Sequence, residues 1–414
     1  MRMAAVADRA PPVNYESNMS TDSTHTPVPD QFRDIAPYDD TQFKEKMQAM
    51  VKEPGFEHAI RYIMPNVDYD AFVKRLLSIQ TQHDFQSGIM HEFLNTLEKL
   101  STDGVTSSGT ENIAPDKNYT FITNHRDIVL DASFLNLVML RNNLPITQVA
   151  IGNNLLIYEW ITDLVKLNRS FIVKRDVRKL EALDAARQLS AYIHFTITTR
   201  HESVWIAQRE GRAKDSNDRT QESLMKMLSL GGNEDTKTNL EQINLLPVAI
   251  CYEFDPNDYL KATEFLRKRR DPEYKKSQRD DLFSMETGLL GYKGRVHFSI
   301  GKCINDKLAD CPCENRAEAV RTACQLVDSE IHRGYHLFPI NYLAYDRLEG
   351  TQAFADRYTA EDVAKIDAYL NGQLDKVELT DVTPDEREYM LQMMLTMYAN
   401  PVRNQIAAQN VMSL

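Results

Sequence analysis

Short apolar runs that favour β-strands alternate with helical stretches through the middle of the chain, and this alternation limits the available folds. The apolar runs cover residues 119–123, 148–151, 170–173, 203–207, 245–251 and 295–300. Helical patterns lie between them, as in residues 132–140, 155–167 and 177–196. Strands that alternate with helices usually form a parallel sheet with helices on its faces. We therefore predict an α/β fold with a mixed, largely parallel sheet flanked by helices.

The composition changes along the chain and predicts four parts. Residues 1–40 are rich in Pro, Thr, Ser and Asp, and they contain too little apolar surface to offset the entropy of ordering, so we predict a disordered tail. Residues 41–105 show apolar side chains at helical spacing and predict a helical N-terminal lobe, followed by a polar linker that spans 101–111. Residues 106–345 form the predicted catalytic domain, and 346–414 a helical C-terminal region.

Charge and hydropathy exclude some classes of function. The 414 residues include 42% hydrophobic and 26% charged residues, which is ordinary for a globular protein. The net charge of -12 argues against nucleic acid as a partner, because phosphate backbones attract clustered cations. The first residues do not resemble a secretory signal, and no segment is apolar enough to span a bilayer. We expect any contact with a membrane to be peripheral.

The five cysteines are expected to be reduced thiols, as is typical of a cytoplasmic protein. Cys311 and Cys313 flank a proline, and together with Cys303 and Cys324 they could supply four thiolates to a zinc ion. The usual Cys-x-x-Cys spacing is absent. We therefore favour plain thiols and expect no metal site.

The segment from Asn124 to Asp131 carries the sharpest chemical signal. It follows the run at 119–123 and opens a helical stretch, and the end of a strand is where an α/β sheet presents catalytic groups. His125 is suited to act as a general base at neutral pH, and a nearby carboxylate would fix its tautomer. The alternative is that His125 only packs at a turn, with Asp127 as the cap of the following helix.

Two further runs end in charged segments. Lys174 and Arg175 follow the run at 170–173, and Arg and Lys are the side chains that bind phosphate. Glu210, Gly211 and Arg212 follow the run at 203–207, where glycine would allow a ligand to approach the backbone. The alternatives are a solvated helix face for the first segment and an ordinary charged loop for the second. A fourth segment, 246–253, predicts a buried strand.

In this order, the four segments resemble the four sequence blocks of the glycerol-3-phosphate and 1-acylglycerol-3-phosphate acyltransferase family. That family has a His-x4-Asp block, an apolar stretch ending in Arg, a Glu-Gly-x-Arg block and an apolar Pro-Val strand. His125, Arg175, the segment from Glu210 to Arg212, and Pro247 occupy the matching positions, and the resemblance covers about residues 115–305.

The match departs from the family pattern at two places. The family spacing expects an aspartate at position 130, where this chain has Leu130. Asp131 lies one residue later and Asp127 three residues earlier, and we favour Asp131 as the partner of His125, with Asp127 as the helix cap. Ala213 stands where the third block usually has Ser or Thr, which leaves the ligand of that loop open.

The resemblance implies a glycerolipid acyltransferase-like fold and direct acyl transfer in phospholipid biosynthesis. His125 would deprotonate the acceptor hydroxyl, and Asp131 would orient His125. The resemblance implies a substrate-binding set that comprises Arg126, Lys174, Arg175, Glu210, Gly211, Arg212 and Lys214.

The same resemblance implies the partners of the protein. The donor would be acyl-CoA or acyl carrier protein, used as a co-substrate without any further cofactor. The acceptor would be glycerol 3-phosphate, 1-acylglycerol 3-phosphate or another lysophospholipid. We expect the protein to be cytoplasmic and peripherally associated with the inner face of the membrane. Two alternatives stay open, namely a non-catalytic lipid-binding protein on the same fold and a thioester hydrolase.

Overall fold

The structure, a computed structural model, describes residues 26–175 and 177–410, in which one sheet of seven strands is surrounded by helices. The strands are β1 (Val105–Ser108), β2 (Thr120–Thr123), β3 (Gln148–Gly152), β4 (Ser170–Val173), β5 (Val204–Ala207), β6 (Leu245–Tyr252) and β7 (Val296–Ile300).

The helices fall into an N-terminal group, a group that connects the strands, and a C-terminal group. They are α1 (Asp40–Met50), α2 (Pro54–Ile63), α3 (Tyr69–Ser78), α4 (Gln82–Asp84), α5 (His91–Ser101), α6 (Leu130–Arg141), α7 (Glu159–Leu167), α8 (Lys179–Thr198), α9 (Glu222–Leu228), α10 (Thr236–Gln242), α11 (Asp258–Arg270), α12 (Gln278–Leu290), α13 (Asn305–Ala309), α14 (Arg316–Arg333), α15 (Pro339–Glu349), α16 (Ala360–Leu374) and α17 (Pro384–Asn410). A π-helical segment, Phe85–Met90, joins α4 to α5.

The sheet has the strand order β1-β7-β6-β2-β5-β3-β4. The five strands from β6 to β4 are parallel, β7 is antiparallel to β6, and β1 is parallel to β7. This confirms the prediction of a mixed, largely parallel sheet flanked by helices. The strand β2 lies at the centre, and the carboxyl ends of the five parallel strands share one edge, which we call the carboxyl edge.

Side chains alternate across the sheet and build two separate apolar cores. On one side, which we call the α6 face, Phe121, Trp205 and Ile250 pack with the apolar side chains of α6. On the other side, the α14 face, Ile122 and Ile206 pack with helices that include α8 and α14. All residues of β2 and β6 are buried. The strand β6 therefore reads as a continuous apolar run, whereas β2 has a threonine at each end.

Residues 26–40 differ from the disordered tail predicted for residues 1–40. Phe32, Ile35 and Ala36 are buried in the core of the α14 face, and the Ile172 N–H of β4 donates a hydrogen bond to the Ile35 carbonyl at 2.8 Å. The composition of this segment is polar on average, but its three apolar side chains pack against β4 and α8. The rest of the predicted tail, residues 1–25, lies outside the described residues.

Candidate active site

His125 stands just beyond the end of the central strand, on a segment that is tied to both neighbouring strands. The Asn124 side chain bonds both backbone groups of Ile250 on β6, with Nδ2–O and N–Oδ1 distances of 2.9 and 2.7 Å. On the other side, the Gln208 N–H donates to the Thr123 carbonyl at 2.7 Å. The backbone that carries His125 is therefore fixed at the middle of the carboxyl edge.

The structure pairs His125 with Asp131. The His125 Nδ1 lies 2.8 Å from the Asp131 Oδ2, and this oxygen also accepts the Arg126 backbone N–H at 2.7 Å. The His125 side chain is 12% exposed and the Asp131 side chain 1% exposed. A buried carboxylate next to a partly open imidazole is the arrangement that orients a histidine base.

Asp127 has a different place, in the turn that leads into α6. Its Oδ1 accepts the backbone N–H groups of Val129 and Leu130 at 2.9 and 2.7 Å. Burial raises the pKa of Asp127, the charge of Asp131 raises it further, and Lys293 acts in the opposite direction. Asp127 thus stabilises the segment that brings Asp131 to His125. Their catalytic roles stay predictions.

Lys293 and Gly288 lie close to Asp127 and were not among the residues selected from the sequence. Lys293 is fully buried, donates to the Gly291 carbonyl at 2.7 Å, and burial lowers its pKa to about 8. Gly288 lies against Asp127, because a Cβ at this position would be 2.0 Å from the Asp127 Oδ2. The three-residue spacing of Gly288, Gly291 and Gly294 is visible in the sequence, but it does not indicate a contact with Asp127.

The Gly288→Ala substitution is expected to destabilise the protein by about 1–3 kcal/mol, because the added methyl group displaces Asp127 or α12. Gly372→Ala in α16 is the matched control, since a Cβ there meets nothing within 4 Å and alanine favours the helix by about 0.5–1 kcal/mol. Urea unfolding of both variants measures the difference. Equal stability of the two variants would contradict the packing of Gly288 on Asp127.

Two aromatic side chains of the α6 face surround the pair of His125 and Asp131. Trp205 meets the imidazole ring edge-on, with ring centroids 5.9 Å apart. The Tyr252 hydroxyl is buried, and its pKa is raised by burial, by Asp131 and by Asp127, in that order of size. The sequence predicted both residues only as parts of strands, because an apolar run does not show which of its side chains contact a site.

Arg126 has an internal partner rather than the open position that substrate binding requires. Its Nη1 and Nη2 donate to the two carboxylate oxygens of Asp218 at 3.0 and 2.6 Å, and the side chains are 8% and 1% exposed. Asp218 lies 92 residues away in the sequence. Arg126, predicted as a substrate ligand, thus lies in a buried internal ion pair, in which each of its terminal nitrogens donates a hydrogen bond to Asp218.

The second and third predicted blocks meet at the carboxyl edge. The Arg175 Nε lies 3.8 Å from Glu210 Oε1, and the Arg175 backbone N–H donates to the Asn153 side chain at 2.8 Å. Gly152 makes room for the guanidinium, because a Cβ there would be 2.7 Å from its Nε. Lys174 instead pairs with Asp34, at 2.5 Å. Of these two cations, Arg175 therefore lies nearer to the third block.

The loop after β5 holds the remaining predicted ligands. Glu210 is exposed, and Gly211 has a φ of 68°, a conformation that favours glycine. The Lys214 ammonium pairs with Glu264 of α11. The Nη1 of Arg212 is buried without a hydrogen-bond partner in the described part of the chain, and so is the Nε of Arg209, a residue that the sequence-based selection missed.

Neither a metal site nor a membrane-spanning helix is found in residues 26–175 and 177–410. No group of three or more His, Cys, Asp or Glu side chains in these ranges could hold a metal ion, and the five cysteines are free. None of the helices described is both long and apolar enough to cross a bilayer.

Comparisons with known proteins do not assign this chain to a family. No protein-family profile and no curated protein matches the sequence. Among solved structures, the chain is similar to the 1-acyl-sn-glycerophosphate acyltransferase PlsC from Thermotoga maritima, at 15% identity and a TM-score of 0.35. The match covers 69% of this chain and 93% of that one. At these values the similarity carries no argument about function. The fold and the site define an α/β protein in which a buried aspartate is paired with a partly open histidine at the carboxyl edge of the sheet.

Proposed function

We propose that this protein is an O-acyltransferase that moves a fatty acyl group from a thioester to a hydroxyl of a glycerol phosphate or lysophospholipid. The observation that carries the proposal is the 2.8 Å contact between His125 and Asp131 at the end of the central strand. With Nδ1 bonded to a carboxylate, the neutral imidazole keeps its lone pair on Nε2. This nitrogen has no hydrogen-bond partner among the residues described.

The proposed reaction needs the imidazole and the two substrates. The acceptor hydroxyl gives its proton to His125 Nε2 while its oxygen attacks the thioester carbonyl. Asp131 stabilises the imidazolium that forms. The tetrahedral intermediate then expels the thiolate, which takes the proton from His125, so that an ester and a free thiol leave the site.

Cationic side chains at the same edge suit an acceptor that carries phosphate. Arg212 belongs to the loop after β5, the neighbour of β2 in the sheet. Arg175 belongs to the loop after β4, the edge strand, and reaches the loop after β5 through its contact with Glu210. Glu210 holds Arg175 only loosely, at 3.8 Å, so a phosphate group could compete for it. Lys174, Glu210, Gly211 and Lys214 would contribute indirectly, through the charge and shape of these loops.

The wider setting of the reaction is part of the proposal. The donor would be acyl-CoA or acyl carrier protein, and the product would enter phospholipid biosynthesis. Because the acceptors are lipids or lipid precursors, the protein would work at the cytoplasmic face of the membrane as a peripheral protein.

The decisive experiment offers the purified protein a labelled acyl-CoA or acyl carrier protein together with one acceptor at a time. The acceptors are glycerol 3-phosphate, 1-acylglycerol 3-phosphate and glycerol, which lacks the phosphate. We expect a labelled ester with a phosphate-bearing acceptor and none with glycerol. Release of free fatty acid at the same rate without an acceptor would indicate a thioester hydrolase. Lipid binding without turnover of any thioester would indicate a binding protein.

Asp131→Asn is expected to lower the rate of acyl transfer by about 100-fold or more, because an amide no longer stabilises the imidazolium or fixes its tautomer. Asp127→Asn is the matched control, since the amide oxygen can still accept the N–H groups of Val129 and Leu130. Initial rates at saturating acceptor separate the two variants. A larger loss in Asp127→Asn than in Asp131→Asn would reverse the assignment of the orienting carboxylate.

A further inference from the structure

Arg209 lies two residues beyond the end of β5, the strand that pairs with β2, and β2 leads directly to His125. The hydrogen bond from the Gln208 N–H to the Thr123 carbonyl continues the pairing of β5 with β2 by one residue beyond the strand. Trp205 and Ala207 pack on the α6 face, and the Gln208 side chain, near Thr220, lies on the other. Arg209 follows directly after the pairing of Gln208 with Thr123, so its backbone lies at the carboxyl edge beside the segment that carries His125.

Arg209 also lacks the carboxylate partner that other cations of this region have. Arg126 pairs with Asp218, Arg175 with Glu210, and Lys214 with Glu264. In the described ranges, no salt bridge reaches Arg209, and its Nε is buried without a hydrogen-bond partner. A buried donor that stays unpaired costs free energy, so this nitrogen needs an acceptor from outside the chain, which a water or a ligand oxygen can supply.

Arg212, three residues further on, shows the same condition. Its Nη1 is buried and unpaired in the part of the chain that is described, and its charge acts on Asp255 and Lys261 near the end of β6. Between the two arginines, a Cβ at Gly211 would meet nothing within 4 Å, so this side of the loop borders open space. Two guanidinium groups with unpaired donors thus flank an open turn.

The geometry assigns Arg209 as a second guanidinium ligand, beside Arg212, for the phosphomonoester group of the acceptor. A phosphomonoester carries nearly two negative charges at neutral pH and accepts forked hydrogen bonds from arginine. A ligand bound at this loop lies at the carboxyl edge beside the segment of His125, where the acceptor hydroxyl must be deprotonated. This inference rests on the proposed function and adds a specificity residue to it.

The test measures binding apart from turnover. Isothermal titration calorimetry with glycerol 3-phosphate and with inorganic phosphate compares the wild type, Arg209→Gln, Arg209→Lys and Arg387→Gln. Arg387→Gln is the control, because it removes the same charge from an exposed ion pair between Arg387 and Asp375. We expect Arg209→Gln to raise the Kd of both ligands by about tenfold to a hundredfold. The Kd values of Arg209→Lys should lie between those of the wild type and Arg209→Gln, and those of the control should equal the wild-type values.

Thermal unfolding separates a ligand role from a structural one. Because Arg209 has no partner in the described structure, Arg209→Gln is expected to keep or raise the Tm, whereas loss of an internal bond would lower it. A lowered Tm in Arg209→Gln with unchanged phosphate binding would overturn the inference. So would a rise in KM confined to the thioester donor, which would place a donor phosphate at Arg209.

The same measurements separate the inference from the proposed function. If phosphate binding depends on Arg209 but no acceptor is acylated, the role of Arg209 is supported and the proposed acyltransferase function is rejected. If the protein transfers acyl groups but its phosphate binding does not depend on Arg209, the acyltransferase function is supported and the role of Arg209 is rejected.

Discussion

His125→Ala is expected to abolish measurable acyl transfer while the protein stays folded. Removal of a general base costs about 100-fold to 10,000-fold in rate, and here no other imidazole of the described chain pairs with Asp131. The fold should tolerate the change, because the side chain lies at the open edge of the sheet and is 12% exposed. Asp131 would keep the Arg126 N–H as a partner.

The measurement is a single-turnover rate at saturating acceptor, combined with circular dichroism and thermal unfolding. His58→Ala, an exposed histidine on α2, is the matched control and should keep the wild-type rate. Added imidazole should restore part of the activity of His125→Ala, because a free base can enter the space left by the side chain. Undiminished transfer in a folded His125→Ala protein would rule out the proposed reaction.

Most of the sheet was readable from the sequence because each strand from β2 to β7 contains apolar, β-favouring residues that are buried in the core or packed against it. Each predicted run corresponds to a strand, from residues 119–123 in β2 to residues 295–300 in β7. The strand β1 was missed and read as part of a polar linker. Its residues, Val105–Ser108, alternate between half-buried and exposed at the edge of the sheet, so they lack an apolar signal. The reversed direction of β7 is likewise invisible in a pattern of apolar residues.

The site was only partly readable, because its long-range contacts have no local signature. His125 and Asp131 lie six residues apart, and the turn between them is not helical, so helical geometry could not decide their pairing. Arg126 looked like a ligand because it is a cation next to the candidate base. Only the folded chain brings Asp218 to it from 92 residues away and takes Arg126 out of the accessible surface.

The ion pair of Arg126 and Asp218 is therefore expected to matter for stability. Asp218 also accepts the Tyr335 hydroxyl at 2.5 Å, and His332 bonds its backbone carbonyl, so it links the segment of His125 to the end of α14. Asp218→Ala leaves a buried guanidinium without its counter-charge. We expect a loss of about 3–5 kcal/mol in the free energy of unfolding, measured by urea titration.

An exposed pair provides the control for this prediction. Arg347 and Asp367 form a similar two-bond contact at 2.6 and 3.0 Å, but their side chains are 34% and 44% exposed. Asp367→Ala should cost about 1 kcal/mol or less, because water screens the pair. Equal losses in Asp218→Ala and Asp367→Ala would contradict the assignment of Arg126 to a buried internal role.

The double variant Arg126→Met with Asp218→Leu separates the stability of the pair from its effect on the site. Replacing both charges by apolar side chains removes the uncompensated guanidinium, so stability should return to within about 2 kcal/mol of the wild type. The Arg126 N–H still bonds Asp131, but the side-chain link to Asp218 that orients this backbone is gone. We therefore expect kcat to fall below the wild-type value while the KM for the acceptor changes little. A large rise in KM at unchanged kcat would instead return Arg126 to the substrate-binding set.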